Sequence, residues 1–298
     1  MNNEDPNLSR ALAQIATAAQ QIAEAVRSIQ QPQNVQQLTL HEFIRQRLGT
    51  LAPSTRTSHE RTLALLQQHG PVDINALTYT WVSSFDDLLQ QKGYATSTIH
   101  RHHRTLKRWI NQAVREEIIE HRDNPYTRYQ VKRGKGRKVF LSADEVALME
   151  SAPQSEARDM FLFACYTGLR YSDLVNLGPD SFHVDGDKVY ITVIQVKTGD
   201  RVVIPVHKLP DYDKIVALSI PYHFDLSNAD LNKQLKQIAA SVGIKKNISI
   251  HVGRHTFGIM LARLGKPVLF IQSVMGHRNI TTTQGYLHLV GADIEGMI

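Results

Sequence analysis

The chain has 298 residues, of which 42% are hydrophobic, so its size suggests about two domains with ordinary folded cores. No apolar run approaches the ~18 residues of a membrane helix, and the polar start MNNEDPNLSR is unlike a secretory signal. The single cysteine, Cys165, excludes a disulfide within one chain, so the composition predicts a cytoplasmic protein without membrane contact. The formal net charge of +6 suits an anionic partner such as DNA.

Residues 6–30 predict a helix with an apolar seam, because apolar positions recur at alternating spacings of four and three residues. The seam comprises Leu8, Leu12, Ile15, Ala19, Ile22, Val26 and Ile29. Such a seam favours either self-association or packing against the same chain, and the pattern alone does not distinguish the two. The polar stretch QQPQNVQQ follows, so residues 1–37 are predicted to be an N-terminal helix and linker.

Residues 38–123 predict an all-helical domain whose clearest helix is TSTIHRHHRTLKRWINQAVREEII, with Ser97 as its N-cap. At 100° per residue one side of this helix is apolar and is predicted to enter a core: Ile99, Leu106, Ile110 and Ala113. The opposite side carries Arg101, Arg104 and Arg108. This row indicates either a solvated face or a surface that binds DNA phosphates.

Residues 124–140 predict a basic linker, which begins where NPY stops the preceding helix and contains Gly134 and Gly136. The segment contains no acidic residue. Its candidate DNA-binding residues are Lys132, Arg133, Lys135, Arg137 and Lys138. A solvated linker is the alternative, but the neighbouring arginine row favours DNA.

Residues 141–298 predict a second domain of mixed type. SADE at 142–145 is a capping-box pattern, and MFLFACYTGLRYSDLVNL predicts a buried helix pair broken near Gly168. The runs KVYITVIQV and RVVIPV, joined by KTGD, predict a β-hairpin with Gly199 in its turn. Helices then follow, with Gly265 and Gly276 as stops. The expected fold is mainly α with a small antiparallel β-sheet.

The stretch HVGRHTFG places His251, Arg254 and His255 on one helical face. A zinc site is disfavoured, because Val252 stands where a metalloprotease needs glutamate and Arg254 would repel the cation. A core role suits His255 alone, which would support the helix from within. An anion-handling site explains the arginine.

Further residues of the same chemistry support the anion-handling site. Arg170 follows a tight Thr-Gly turn, Lys197 lies at the hairpin turn, and His277 follows Gly276. Arginine binds phosphate through two parallel N–H bonds and stays charged, and a tyrosine hydroxyl such as that of Tyr286 can attack phosphorus covalently.

The ordered boxes TGLR, VKTGD, HVGRHT, MGH and GY resemble those of the tyrosine recombinase family of the phage-integrase type. The resemblance covers 141–298 closely, as the catalytic domain. It covers 38–123 loosely, as a helical core-binding domain that completes a clamp around DNA. The family more often has leucine where this chain has Gly253, and LGH rather than MGH, both at packing positions.

The resemblance implies that Tyr286 attacks the scissile phosphate and forms a 3′-phosphotyrosyl link. Arg170 and Arg254 hold the non-bridging oxygens, and His251 takes part in proton transfer near the tyrosine. His277 supports the phosphate, and Lys197 protonates the leaving 5′-oxygen. One phosphodiester is exchanged for another, so neither a metal ion nor another cofactor is expected.

The implied function is site-specific recombination between two double-stranded DNA sites by a tetramer, with integration, excision or inversion as the outcome. The implied location is the nucleoid of the cytoplasm. Two alternatives stay open at this point: type IB-like DNA relaxation, and a non-cutting DNA-binding regulator on the same fold. The basic linker and the heptad seam favour the joining of two sites.

Overall fold

The architecture is mostly helical with one three-stranded antiparallel sheet, which confirms the expected fold class. The computed structural model describes residues 14–24, 38–134, 138–218 and 224–295. The chain divides into two units, Met1–Gly136 and Arg137–Ile298, called here the helical unit and the mixed unit. Within the described ranges, no helix combines the length and apolarity needed to cross a membrane.

The N-terminal seam is helical over residues 14–24, and this stretch is exposed throughout. Ile15 and Ile22 are each 65% exposed, so neither side chain belongs to a core of the single chain. The other large apolar seam positions lie outside the described residues: Leu8, Leu12, Val26 and Ile29. Ile15 and Ile22 are therefore not covered by the described part of the chain.

Four α-helices build the helical unit between residues 38 and 134: α1 Leu40–Arg47, α2 Pro53–His69, α3 Tyr79–Gln91 and α4 Thr96–Arg115. Thr39 begins α1 with a capping box closed by Glu42. Each helix contributes a fully buried apolar side chain to one core, namely Phe43, Leu66, Phe85 and Leu106. Burial of these apolar side chains away from water stabilises the unit.

The predicted apolar side of α4 is confirmed, since Ile99, Leu106, Ile110 and Ala113 are all buried, whereas Arg101, Arg104 and Arg108 are exposed. The predicted cap is wrong. Ala95, in extended conformation, is the N-cap, and Ser97 lies inside the first turn. The Ala95 carbonyl accepts from Thr98 N and Ile99 N, so backbone bonds start the helix before Ser97.

The first part of the predicted basic linker packs into the helical unit. Tyr126, in the short 3-10 helix Pro125–Thr127, is buried, and its hydroxyl lies 2.8 Å from Nδ1 of His103. The Tyr129 ring stacks on the same imidazole at a centroid distance of 5.2 Å. Aromatic packing thus places Tyr126 and Tyr129, which the sequence assigned to a linker, against the core of the helical unit. Lys132 and Arg133 are exposed, whereas Lys135 and Arg137 lie outside the described residues.

The mixed unit contains a small sheet and a longer series of helices. The strands are β1 Phe182–Asp185, β2 Lys188–Ile194 and β3 Arg201–Pro205, paired in that order, with Ile191 opposite Phe182 and Ile204. The helices are α5 Ala143–Ser151, α6 Glu156–Thr167, α7 Tyr171–Leu174, α8 Tyr212–Ala217, α9 Asn228–Ser241, α10 Ile250–Arg263, α11 Val268–Met275 and α12 Ile280–Glu295. The predicted capping box before α5 and the predicted β2–β3 hairpin are both confirmed.

Close packing of α6 against α10 forms the centre of the mixed unit. A Cβ at Gly253 would lie 3.1 Å from the Phe161 carbonyl oxygen and 3.2 Å from Ala164 Cβ. A larger side chain there would push the helices apart, which explains why this chain has no leucine before Arg254. The consequence is that α10 presents the residues of HVGRHT directly beside the end of α6.

The helical unit contains buried histidines, which make its stability sensitive to pH. His102 Nδ1 lies 2.9 Å from the Thr62 hydroxyl, and His103 lies between Asp86 and Tyr126. Burial, with the charge of Arg101, lowers the pKa of His102 to about 4, and burial lowers the pKa of His103. Both rings are therefore neutral in the folded unit at neutral pH.

We expect the helical unit to lose stability as pH falls below 6.5, because a histidine with a depressed folded pKa takes up its proton more readily when unfolded. Both tryptophans, Trp81 and Trp109, lie in this unit, so tryptophan fluorescence reports its thermal midpoint. The midpoint should be constant above pH 7 and fall by roughly 4 °C or more between pH 6.5 and 4.

His102→Gln should flatten this dependence, whereas His100→Gln, at a half-buried position on the same helix, should leave it unchanged. Parallel pH curves for the wild type and the His102→Gln variant would contradict the assignment to His102.

Candidate active site

Arg254, on α10, is a buried guanidinium that is only 2% exposed. Nη1 donates to the Gly168 carbonyl at the end of α6, and Nη2 donates to the Met275 carbonyl at the end of α11. Burial and the nearby charge of Arg170 lower the pKa of Arg254 to about 10, so the side chain stays charged at neutral pH. Its remaining N–H donors can bind an anion.

Arg170 lies at the start of α7, directly after the turn at Gly168 and Leu169. Its Nη1 is 3.6 Å from Oδ2 of the buried Asp173, and that nitrogen has no hydrogen-bond partner among the described residues. The same carboxylate accepts from the backbone N–H groups of Arg170 and Val196. Asp173 thus orients the arginine and ties α7 to the hairpin.

Tyr286, on α12, is only 1% exposed, and its ring lies against Gly258 of α10. Its hydroxyl is 3.0 Å from Nδ1 of His255. Burial raises the pKa of Tyr286, although Arg254 and Arg170 act in the opposite direction. At neutral pH the phenol is therefore protonated and needs a proton acceptor before it can attack phosphorus.

His255, rather than His251, is the histidine in contact with that hydroxyl. The sequence predicts His251 near the tyrosine and His255 as internal support, but α12 packs on the α10 face that carries His255 and Gly258. Burial and the charge of His251 lower the pKa of His255 to about 4, so its ring is neutral. His251 is exposed, with its ring edge-on to His255 at a centroid distance of 4.4 Å.

His277 follows Gly276, and its ring stacks on Tyr286 with centroids 6.1 Å apart. Its Nδ1 lies 2.9 Å from the Thr283 hydroxyl, which leaves Nε2 for another partner. Burial and the arginine charges lower the pKa of His277 to about 3. Gly276 has φ of +58°, and a Cβ there would lie 2.2 Å from Nε2 of Gln195, so a glycine is required beside the hairpin.

The hairpin turn that carries the exposed Lys197 is fastened to the same site by polar residues that the sequence did not single out. Gln195 is buried and donates to the Met275 carbonyl, which also accepts from Arg254. Arg278 pairs with Asp200 at 2.7 Å and donates to the Thr198 carbonyl. No motif marks these residues, because their role depends on contacts across the fold.

The predicted catalytic residues come together around α10. Partial burial, followed by the charges of Arg254, Arg170, Lys197 and Lys138, lowers the pKa of His251, so these cations lie near its ring. Lys138 was predicted to be a DNA contact in a linker, yet its Nζ lies 4.2 Å from the Tyr286 ring centroid. Among the described residues, no cluster of histidine, cysteine and carboxylate side chains could hold a metal ion.

The predicted DNA-binding arginines line a concave surface of the helical unit. Arg101, Arg104 and Arg108 face the first turns of α2, where the surface is completed by Ser54, Thr55, Ser58, His59 and Thr105. Cations, hydroxyls and the start of a helix all favour a phosphate group.

The sequence and the fold both match known proteins. Residues 138–291 match the family model described as Phage integrase family, and residues 39–131 match the one described as Phage integrase SAM-like domain. Tyrosine recombinase XerD of Oceanobacillus iheyensis is 28% identical over 293 residues, which span 86% of this chain and 94% of the relative. Tyrosine recombinase XerC of Alcanivorax borkumensis is 25% identical over 263 residues, spanning 80% and 84%.

Two solved structures share the fold. A lambda integrase dimer bound to a COC′ core site superposes with a TM-score of 0.70 at 18% identity, covering 84% of this chain and 95% of that chain. The Tn1549 transposon integrase in complex with circular intermediate DNA gives a TM-score of 0.68 at 19% identity, with the same coverage. Because the integrase match spans more than half of the sequence, the chain belongs to the phage integrase family.

Proposed function

We propose that this protein is a tyrosine site-specific recombinase that cleaves and rejoins DNA through a 3′-phosphotyrosyl intermediate. The observation that carries the proposal is the Tyr286 hydroxyl, which lies 3.0 Å from a neutral histidine in a site that also contains Arg170 and Arg254. The curated relatives, named tyrosine recombinases XerD and XerC, support the same activity.

In the first step the Tyr286 oxygen attacks the scissile phosphorus. His255 accepts the phenolic proton, since its ring is neutral and already in hydrogen-bond contact with the hydroxyl. His251, exposed and next to His255, exchanges that proton with solvent. This division of roles adds His255 to the residues that the sequence assigned to proton transfer.

Arg170 and Arg254 hold the non-bridging oxygens and stabilise the negative charge that grows in the transition state. Both guanidiniums are held before DNA arrives, Arg254 by two backbone carbonyls and Arg170 by Asp173. His277 donates from Nε2 to the phosphate region. Because these groups are already oriented, little reorganisation is needed during the reaction.

Lys197 protonates the 5′-oxygen as it leaves, and a 5′-hydroxyl of the partner DNA then reverses the step. One phosphodiester replaces another, so the reaction requires no ATP. Gln195 and Arg278 fasten the turn that carries Lys197, and the Met275 carbonyl that binds Gln195 also binds Arg254.

DNA binding involves phosphate contacts from the helical unit. The concave surface at Arg101, Arg104 and Arg108 is the first candidate, with the exposed Lys132 and Arg133 as further contacts. Residues 38–123 act as the core-binding domain and residues 141–298 as the catalytic domain, joined by the segment 124–140. The protein works in the cytoplasm, at the nucleoid.

Strand exchange between two sites requires several protomers, and we assign four. The exposed Ile15 and Ile22 provide an apolar face for self-association through the N-terminal helix. A solved relative, lambda integrase, forms a tetramer bound to a Holliday junction. These observations favour recombination over DNA relaxation by a single protomer, and the intact set of site residues favours it over a non-cutting regulator.

Replacing Tyr286 with phenylalanine should abolish the covalent protein–DNA adduct while DNA affinity stays within about twofold, because only the attacking oxygen is removed. The measurement is a denaturing gel of protein mixed with a nicked target site, alongside a gel-shift titration. An adduct that persists in Tyr286→Phe would exclude this tyrosine as the nucleophile.

Lys197→Ala should bind DNA normally and cleave roughly 10²–10⁴-fold more slowly, because an alkoxide is a poor leaving group without a proton donor. A substrate with sulfur in place of the bridging 5′-oxygen needs no such donor, since a thiolate leaves readily. That substrate should restore cleavage by Lys197→Ala but not by Arg170→Ala. Equal rescue of both variants would remove the general-acid role from Lys197.

Neutralising Arg101, Arg104 and Arg108 to glutamine should flatten the dependence of log K on log salt. The slope should change by roughly 0.9 for every arginine that pairs with a phosphate. Affinity should fall equally for specific and random duplexes, because phosphate contacts carry no base information. Arg122→Gln, an exposed arginine of the same unit outside this surface, serves as the control. A loss of affinity confined to the specific site would indicate base contacts instead.

A further inference from the structure

Lys138 lies at the active site although its sequence context is that of a basic linker. Its Nζ sits 4.2 Å from the centroid of the Tyr286 ring and 3.5 Å from the Thr282 carbonyl oxygen. The ammonium also lies where a side chain on Gly285 would be, 2.9 Å from the position of a Cβ. The ammonium of Lys138 is therefore in contact with three parts of α12: the Thr282 carbonyl oxygen, Gly285 and the face of the Tyr286 ring.

The half-buried ammonium has no carboxylate within 4 Å among the described residues, although the removal of a charge from water requires compensation. Burial lowers the pKa of Lys138, and its charge contributes to the lowered pKa values of His255 and His277. The contact that offsets this cost is the electron-rich face of the tyrosine ring, a cation–π interaction.

We propose that Lys138 is a positioning residue for the nucleophile, whose ammonium holds the Tyr286 ring so that the phenol stays against His255 and directed at phosphorus. This inference rests on the proposed role of Tyr286. It gives Lys138 a task different from a phosphate contact, because its ammonium is engaged by α12 rather than extended into solvent. It also differs from the task of Lys197, which acts on the leaving oxygen.

The ring of Tyr286 is fixed on several sides. Gly258 contacts one edge, the His277 ring is stacked nearly parallel at 18°, and His255 binds the hydroxyl. Lys138 comes from the N-terminal end of the mixed unit, so it links the start of this unit to its last described helix. Loss of the ammonium leaves the ring free to change its angle, and small misplacements of a nucleophile reduce reaction rates.

The test uses the full chain, a nicked target site and single-turnover cleavage at saturating DNA. Lys138→Met keeps the length of the side chain but removes the charge, and it should slow cleavage roughly 10-fold, as expected when a desolvated cation–π interaction is removed. Lys138→Arg keeps a cation over the ring and should restore most of the rate. Lys236→Met, at an exposed position on α9 of the same unit, should cleave normally at saturation.

Two further measurements separate this role from the alternatives. The Kd and its salt dependence should not change in Lys138→Met; a flattened salt slope with a normal cleavage rate would mean a phosphate contact and would overturn the proposal. The 5′-sulfur substrate should leave the Lys138→Met defect in place, and rescue by sulfur would identify a proton donor instead. An equal reduction of the rate in Lys138→Met and Lys138→Arg would also overturn it.

These experiments distinguish a failure of the role proposed for Lys138 from a failure of the proposed function. If the wild-type protein forms no adduct, or if Tyr286→Phe still forms one, the proposed function fails. If the wild-type adduct depends on Tyr286 but Lys138→Met cleaves at the normal rate, only the role of Lys138 fails.

Discussion

The buried guanidinium of Arg254 is the interaction on which the rest of the site depends. It joins the last turns of α6 and α11 through the carbonyl oxygens of Gly168 and Met275. The same Met275 carbonyl accepts from Gln195, so the hairpin with Lys197 is anchored at this point too. A buried charge without such partners would be strongly destabilising, and the fold supplies them from the ends of two helices.

This arrangement places constraints on the backbone around it. The close approach of α10 to α6 needs a small residue at Gly253, and the turn before His277 needs a glycine beside Gln195. Both glycines bring polar groups together. Gly253 lets Arg254 reach the two carbonyl oxygens, and Gly276 lets the His277 ring stack on Tyr286. Packing and chemistry are thus determined by the same contacts.

The electrostatics of the site follow from the same burial. Burial, with the charges of nearby cations, holds the histidines neutral, with a pKa of about 4 for His255 and about 3 for His277. Without DNA, the low pKa of His255 and the raised pKa of the Tyr286 phenol both oppose transfer of the proton, and a phosphate in the site would favour the transfer by offsetting part of the positive charge. An arriving phosphate would offset the excess positive charge, so DNA binding and catalysis both depend on the same cluster of cations.

Local sequence patterns alone determined much of the fold and of the candidate site. The order of Arg170, Lys197, Arg254 and Tyr286, the apolar side of α4 and the β2–β3 hairpin are short-range signals, which need only residue type and spacing. The tertiary structure decided which histidine meets the tyrosine, because His251 and His255 share a helical face and only the packing of α12 distinguishes them. It likewise decided that Tyr126 and Tyr129 complete the helical core and that Lys138 lies on the Tyr286 ring. Contacts between residues more than a hundred positions apart, as between Lys138 and Tyr286, leave no periodic trace in a sequence, whereas helix faces and turns do.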